Sequence, residues 1–133
     1  MNDAKWDRLA LVVDDEAFAR LHAVQILLDE GFLVLEASDT AEGMAILQCE
    51  RDVSLVLTDI SMPGDLDGLY LARQVRQHRP NVRMIIASGW PPADEHLPAG
   101  ATFLAKPYTA HALIEAVRGG SPDVPLPGAA RAA

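Results

Sequence analysis

Five polar residues close short apolar stretches of the sequence, and their side chains could together bind a metal ion and a phosphoryl group: Asp14, Asp15, Asp59, Ser88 and Lys106. If the apolar stretches are parallel strands of one sheet, these side chains converge at its carboxyl edge, where open α/β sheets bind ligands. Carboxylate oxygens suit Mg²⁺, and an ammonium group and a hydroxyl suit the oxygens of a phosphoryl group.

The carboxylates also predict nucleophilic chemistry. Neighbouring carboxylates repel one another, so they ionise together most readily around a cation. Asp59 could then attack phosphorus and form an aspartyl phosphate, a reaction that needs mainly positioning and charge neutralisation. Each residue also has a simpler explanation, since Asp14 or Asp15 could cap a helix and Asp59 could form a turn. Their joint occurrence at four strand ends favours the functional interpretation.

Strand-like and helix-like stretches alternate along the chain. Apolar runs predict five strands, at residues 9–13, 32–36, 54–58, 82–87 and 101–105. Apolar residues at helical spacing predict the helices between them, and in the first helix these residues are Phe18, Leu21, Val24 and Leu28. Because the strands are almost entirely apolar, the pattern indicates a parallel sheet covered by helices on both faces. Prolines and glycines leave room for only about one to two turns of helix within 89–100.

Composition limits the classes of function. The chain has 133 residues, half of them apolar, which suits a single domain with a hydrophobic core. Its formal net charge is −8. It therefore lacks the basic surface needed to bind nucleic acid or an anionic membrane. Cys49 is the single cysteine, and the amino terminus MNDAKWDR does not resemble a signal peptide. No apolar run approaches the roughly 20 residues that span a bilayer. We therefore expect a cytoplasmic protein.

Over roughly residues 8–118 the chain resembles a response regulator receiver domain of two-component signal transduction. The matching segments are VVDDE at 12–16, LTDISMPG at 57–64, DGL at 67–69, IIASG at 85–89 and FLAKPY at 103–108. The resemblance implies a flavodoxin-like, doubly wound sheet of five parallel strands in the order 2-1-3-4-5, with helices on both faces and a shortened fourth helix. We expect a receiver domain at 1–118 and a flexible tail without an output domain at 119–133.

The resemblance also implies a role for each acid of the site. Asp59 would accept a phosphoryl group from a phosphohistidine of a sensor histidine kinase or histidine phosphotransferase. Asp15 would bind Mg²⁺ directly and Asp14 through water, with Asp59 and the backbone carbonyl of Ser61 as further ligands.

Other residues would sense or protect the phosphoryl group. Ser88 and Lys106 match the residues that bind it, and Phe103 matches the aromatic residue of the family's switch. The Lys106-Pro107 peptide is often cis in such domains. Trp90, two residues after Ser88, would restrict the access of water to the site.

The sequence departs from the family pattern in two places. The loop after Asp59 is one residue longer than usual, at Gly64, Asp65 and Leu66. The segment after Ser88 is too short for a full helix. In the family this helix, the fifth strand and the fifth helix form a surface through which many members signal or dimerise. Because the helix is short here, we expect a monomer or a weak homodimer.

The sequence favours a stand-alone, non-enzymatic receiver that switches the binding of an unknown partner protein or acts as a phosphoryl shuttle or sink. One alternative is a metal-dependent phosphatase with an aspartate nucleophile. Haloacid-dehalogenase-type phosphatases have Asp-x-Asp at that position, whereas Asp59-Ile60-Ser61 lacks the second acid. The other alternative is a docking domain that acts without phosphorylation, against which the complete set of acids, Ser88 and Lys106 argues.

Overall fold

A computed structural model of the chain describes residues 8–60, 66–89 and 100–119, with no side-chain description at 66–68 and 119. Strands and helices alternate as far as β4, and β5 and the last helix follow the undescribed residues 90–99: β1 (Leu9–Val13), α1 (Ala17–Asp29), β2 (Leu33–Ala37), α2 (Thr40–Cys49), β3 (Val53–Asp59), α3 (Leu66–His78), β4 (Arg83–Ser88), β5 (Thr102–Ala105) and α4 (Ala110–Gly119). The predicted strands are therefore confirmed, with ends that differ by at most one residue.

The five strands form one parallel sheet in the order β2-β1-β3-β4-β5, as predicted. β1 has β2 on one side and β3 on the other, so the direction of strand addition reverses at β1. A sheet of this kind opens a crevice at the carboxyl ends of the strands where the order reverses. The ends of β1 and β3 lie side by side at this point.

Two apolar layers cover the faces of the sheet. Alternate strand residues point to opposite faces, so Ala10 and Val12 pack with α1 and α4, whereas Leu11 and Val13 pack with α2 and α3. The central strands are buried on both sides, which explains their nearly continuous apolar sequences. The rigid layers on both faces hold the strand ends in place.

The buried face of α1 differs from the face that its spacing suggests. Of the four apolar residues that predict the helix, Val24 is buried, whereas Phe18, Leu21 and Leu28 are 80%, 49% and 47% exposed. The buried stripe consists of Ala23, Val24, Ile26 and Leu27. Apolar residues occur on more than one side of α1, so their spacing identifies a helix without identifying the face that packs on the sheet.

Several predicted features lie outside the described residues. They are the shortened helix, which falls within 90–99, the lengthened loop at Gly64 and Asp65, and the tail from 120 to 133. Among the helices that are described, none is long and apolar enough to cross a membrane.

Thr58 is a buried polar residue of β3, and we expect its replacement by valine to stabilise the protein. Its side chain is fully buried, and its Oγ1 has no hydrogen-bond partner in the described part of the chain. A buried, unpaired hydroxyl costs about 1–3 kcal/mol, which an apolar group of the same shape avoids. Thr58→Val should therefore raise the free energy of unfolding by about 1 kcal/mol, measured as a higher urea midpoint at unchanged slope. A lower midpoint would show that the hydroxyl has an acceptor.

Candidate functional site at the carboxyl edge of the sheet

Three aspartates meet where β1 and β3 end. Asp14 follows β1 directly, Asp15 is the next residue, and Asp59 is the last residue of β3. One carboxylate oxygen from each lies within 4.8 Å of those from the other two. Asp14 and Asp59 are buried, at 5% and 4% exposure, whereas Asp15 is exposed. Among these three described acids, Asp15 is thus the one that faces solvent.

Lys106 joins this group from the far edge of the sheet. It follows β5, and its backbone N–H donates to the carbonyl of Ser88 at 2.8 Å. Its Nζ lies 2.9 Å from Asp59 Oδ2 and 3.3 Å from Asp14 Oδ2. The Lys106-Pro107 peptide is cis, as predicted. The ammonium group therefore bridges the two buried carboxylates.

Burial and charge shape the ionisation of the site. Burial raises the pKa of Asp14, and the charge of Asp59 adds to this effect, while the N–H of Glu16 and the charge of Lys106 oppose it. For Lys106, burial by itself lowers the pKa, but the hydrogen bond and charges of Asp59 and Asp14 outweigh burial, so the pKa is raised. Lys106 thus remains a cation, and one ammonium group balances only part of the charge of three carboxylates.

The other sequence-predicted residues lie at or near the same edge. Ser88 ends β4 and is 2% exposed, one residue after Ala87, which pairs in register with Asp59. Phe103 is partly buried in β5, in register with Ile86. Ser61 and Trp90 lie outside the described residues.

Three residue contacts near the site were not found by sequence reasoning. The Arg20 guanidinium donates to the backbone carbonyl of Asp14 at 2.7 Å and to Glu36 Oε1 at 3.1 Å. The ring of Tyr108 stacks on that of His22, with centroids 5.6 Å apart, and burial raises the pKa of the Tyr108 hydroxyl to about 12. The contacts of Arg20 with Glu36 and of Tyr108 with His22 join residues that are distant in sequence, so no local pattern reveals them. The position of Arg20 on α1, less than two turns after Asp15, is the one available signal.

The arrangement has the parts required for binding a divalent cation beside an anionic group. Three carboxylates offer oxygen ligands, which hard cations such as Mg²⁺ prefer. A cation also relieves the repulsion between carboxylates, and a fixed ammonium group can pair with a second anion. The carboxylates therefore fit a cation of this kind, with Lys106 placed for an anion next to it.

Comparisons with known proteins agree with this geometry. A family model described as the response regulator receiver domain matches residues 10–118. The chain is 33% identical over 112 residues to the chemotaxis protein CheY of Bacillus subtilis (strain 168), an alignment that covers 80% of this chain and 92% of CheY. It is also 32% identical over 123 residues to the sensor kinase CckA of Brucella abortus (strain 2308), covering 87% of this chain but only 13% of that kinase.

Solved structures show the same fold. A response regulator receiver protein from Sinorhizobium medicae WSM419 superimposes with a TM-score of 0.76 at 32% identity, covering 85% of this chain and 93% of that one. The CheX-CheY-BeF3-Mg+2 complex from Borrelia burgdorferi contains a chain that matches with a TM-score of 0.74 at 28% identity, with coverages of 83% and 86%.

Proposed function

This chain belongs to the response regulator receiver domain family, and from that membership we propose that Asp59 accepts a phosphoryl group from a phosphohistidine. Receiver domains are phosphoacceptor signalling modules rather than enzymes, and they take phosphoryl groups from histidine kinases. The observation that carries the proposal is the convergence of Asp14, Asp15 and Asp59 within 4.8 Å, with the ammonium of Lys106 2.9 Å from Asp59 Oδ2.

Mg²⁺ is the proposed cofactor. Asp14, Asp15 and Asp59 would hold it, together with the backbone carbonyl of Ser61. When bound, it neutralises the carboxylates and the negative charge of the incoming phosphoryl group. Two observations support this proposal: the oxygen-only set of side chains, and the name of a relative's structure, a CheY complex that contains BeF3 and Mg²⁺.

The proposed transfer needs one nucleophile and two residues that bind phosphoryl oxygens. A carboxylate oxygen of Asp59 attacks the phosphorus atom while the bond from phosphorus to the imidazole nitrogen breaks, and that nitrogen keeps the bonding electron pair. Lys106 and Ser88 then contact the phosphoryl oxygens, because both lie at the strand ends beside Asp59. The carboxylate itself needs no deprotonating base, since it reacts as an anion.

The output is proposed to be a change in the binding of a partner protein, or the removal of phosphoryl groups from a kinase. In this proposal residues 1–118 form the receiver, 119–133 a tail, and the protein is a monomer or weak homodimer. Phe103 would couple phosphorylation to the surface of β5, where it is partly buried. Trp90 would limit the access of water to the aspartyl phosphate. The chain spans only 13% of the sensor kinase CckA and 32% of the aerobic respiration control protein ArcA of Escherichia coli, so the whole activities of these longer relatives do not carry over.

Incubation with Mg²⁺ and acetyl phosphate, followed by intact-mass measurement, tests the proposal. We expect a single phosphoryl adduct that persists after the donor is removed. Rapid release of inorganic phosphate over many turnovers without an adduct would favour the phosphatase alternative. No reaction in the presence of Mg²⁺ would favour a docking domain.

Phe18 is expected to contribute to the docking of a phosphodonor protein. Phosphoryl transfer brings the donor histidine to Asp59, so the donor surface must cover the residues around the acids. Phe18 lies one turn beyond Asp15 and is 80% exposed, and burying such a ring contributes about 1.5–3 kcal/mol. Phe18→Asp should therefore slow transfer from a phosphorylated histidine protein by about tenfold or more.

Acetyl phosphate provides the internal control for this prediction, because a small donor needs no docking surface and its reaction should be unchanged. Tyr70→Asp is the matched variant, since Tyr70 is 53% exposed on α3. Equal rates for Phe18→Asp and the unaltered protein with the histidine protein would show that α1 does not contact the donor.

A further inference from the structure

One arginine ties together three elements beside the acidic site. Arg20 lies on α1, its Nη1 donates to the backbone carbonyl of Asp14 at the end of β1, and its Nε donates to Glu36 of β2. The Arg20 side chain is 21% exposed and that of Glu36 is 49% exposed. The Arg20 side chain is therefore largely enclosed, and its two hydrogen bonds reach two different elements of the sheet.

The carbonyl that Arg20 contacts belongs to the peptide that joins Asp14 to Asp15. The remaining polar groups of Asp14 are held by other partners: its N–H donates to Ala37 at 3.0 Å, Oδ1 accepts from Glu16 at 3.0 Å, and Oδ2 accepts from Lys106. Because the peptide group is planar, the direction of the Asp14 carbonyl sets the direction in which the chain continues to Asp15.

Asp15 depends on this peptide more than the two buried acids do. It is exposed, and in the described part of the chain no hydrogen bond or ion pair to its carboxylate is found, whereas Asp14 and Asp59 both contact Lys106. The position of its carboxylate near the other two is therefore set by the backbone that precedes it.

We propose that Arg20 is a positioning residue for Mg²⁺ binding: it fixes the Asp14–Asp15 peptide and so holds the Asp15 carboxylate toward Asp14 and Asp59. This inference rests on the proposed function. A guanidinium group has several N–H donors in a rigid plane, so one side chain can hold a carbonyl and a carboxylate at a set angle, which a lysine cannot do. Residues that orient metal ligands typically affect metal affinity by 10- to 100-fold. If Arg20 formed only an exposed ion pair with Glu36, its removal would change the Mg²⁺ affinity little.

The test is the dissociation constant for Mg²⁺ alone, measured by titration calorimetry on the full chain. Arg20→Met should weaken binding by about 10- to 100-fold, and Arg20→Lys should remain weak because it restores only the charge. Arg73→Met is the matched control, since Arg73 is exposed on α3, and its affinity should equal that of the unaltered protein. Glu36→Gln keeps the carbonyl contact and should weaken binding only a few-fold.

A kinetic readout separates positioning from a structural role. The rate of labelling by acetyl phosphate should fall for Arg20→Met at low Mg²⁺ and return to about the normal value when Mg²⁺ is saturating. Three outcomes would overturn the inference. They are an unchanged Mg²⁺ affinity in Arg20→Met, a normal Mg²⁺ affinity in Arg20→Lys, and a low labelling rate in Arg20→Met that saturating Mg²⁺ does not restore. If Arg20→Met does not fold, the Mg²⁺ affinities of Glu36→Gln and Arg20→Lys test the inference instead. Normal Mg²⁺ affinity in both variants would also overturn the proposed role of Arg20.

The two proposals fail in different ways. If the unaltered protein binds Mg²⁺ but takes no phosphoryl group, the proposed function is wrong, while the comparison of Mg²⁺ affinities still tests Arg20. If the protein is labelled normally and Arg20→Met binds Mg²⁺ as well as the unaltered chain, only the inference about Arg20 is wrong.

Discussion

Asp59→Asn is expected to abolish the uptake of a phosphoryl group. An amide oxygen is a much weaker nucleophile than a carboxylate, and the amide carries no charge to hold a cation. The two side chains have nearly the same shape, so the buried position at the end of β3 should accommodate the amide. Lys106 keeps its contact with Asp14 in this variant. The fold should therefore survive while the reaction is lost.

Intact-mass measurement after incubation with Mg²⁺ and acetyl phosphate checks this expectation. Asp52→Asn is the matched control, because Asp52 is an exposed aspartate that precedes β3 at the opposite end from Asp59, and it should be labelled like the unaltered chain. A stable adduct on Asp59→Asn would mean that another group, such as Asp14, is the acceptor.

Lys106→Met is expected to destabilise the protein without Mg²⁺ and to increase the stabilisation that Mg²⁺ provides. The substitution leaves the buried carboxylates of Asp14 and Asp59 without their shared cation. Removing one partner of a buried ion pair costs about 3–5 kcal/mol, and the Lys106 side chain is 21% exposed, so a loss of about 2 kcal/mol is expected. A bound divalent cation would replace the missing charge and offset this loss.

The effect should depend on pH in a defined direction. Burial already raises the pKa of Asp14, and Lys106 lowers it, so the substitution raises that pKa further. An acid with a raised pKa destabilises the folded state when it is ionised. The loss of folding stability in Lys106→Met is therefore present at neutral pH, and it disappears as the pH falls through the folded-state pKa of Asp14.

Urea unfolding at several pH values, with and without Mg²⁺, measures both effects. Arg73→Met serves again as the control for the loss of a positive charge on the surface. Equal stabilities of Lys106→Met and the unaltered protein at neutral pH without Mg²⁺ would show that the contacts of Lys106 contribute nothing to folding. A smaller response to Mg²⁺ in Lys106→Met would contradict the proposed replacement of charge.

Much of the candidate site was predictable because strand ends are strongly constrained. A residue that follows a buried parallel strand must lie at one edge of the sheet, so Asp14, Asp59, Ser88 and Lys106 could be placed there from their positions after apolar runs. The order of the strands came from the family resemblance rather than from the pattern itself. The roles of Ser61 and Trp90, outside the described residues, stay predictions.

The packing of α1 shows where pattern reasoning ends. Its periodicity correctly predicts a helix, but the exposed Phe18 and the buried Ala23 are not distinguished by spacing. A helix with apolar residues on several sides can pack in more than one orientation, and only contact with a particular sheet selects one. The exposed side of α1 thus became visible only in the folded chain.

The amino-acid sequence by itself determined the alternation of strands and helices, the parallel sheet and the residues that reach its carboxyl edge. These properties follow from local periodicity and from the polarity of each residue. The tertiary structure decided that Lys106 bridges Asp14 and Asp59, that Arg20 holds the carbonyl of Asp14, and that Thr58 buries its hydroxyl without a partner in the described residues. Such contacts depend on distances between separate elements, and those distances exist only once the layers have packed together.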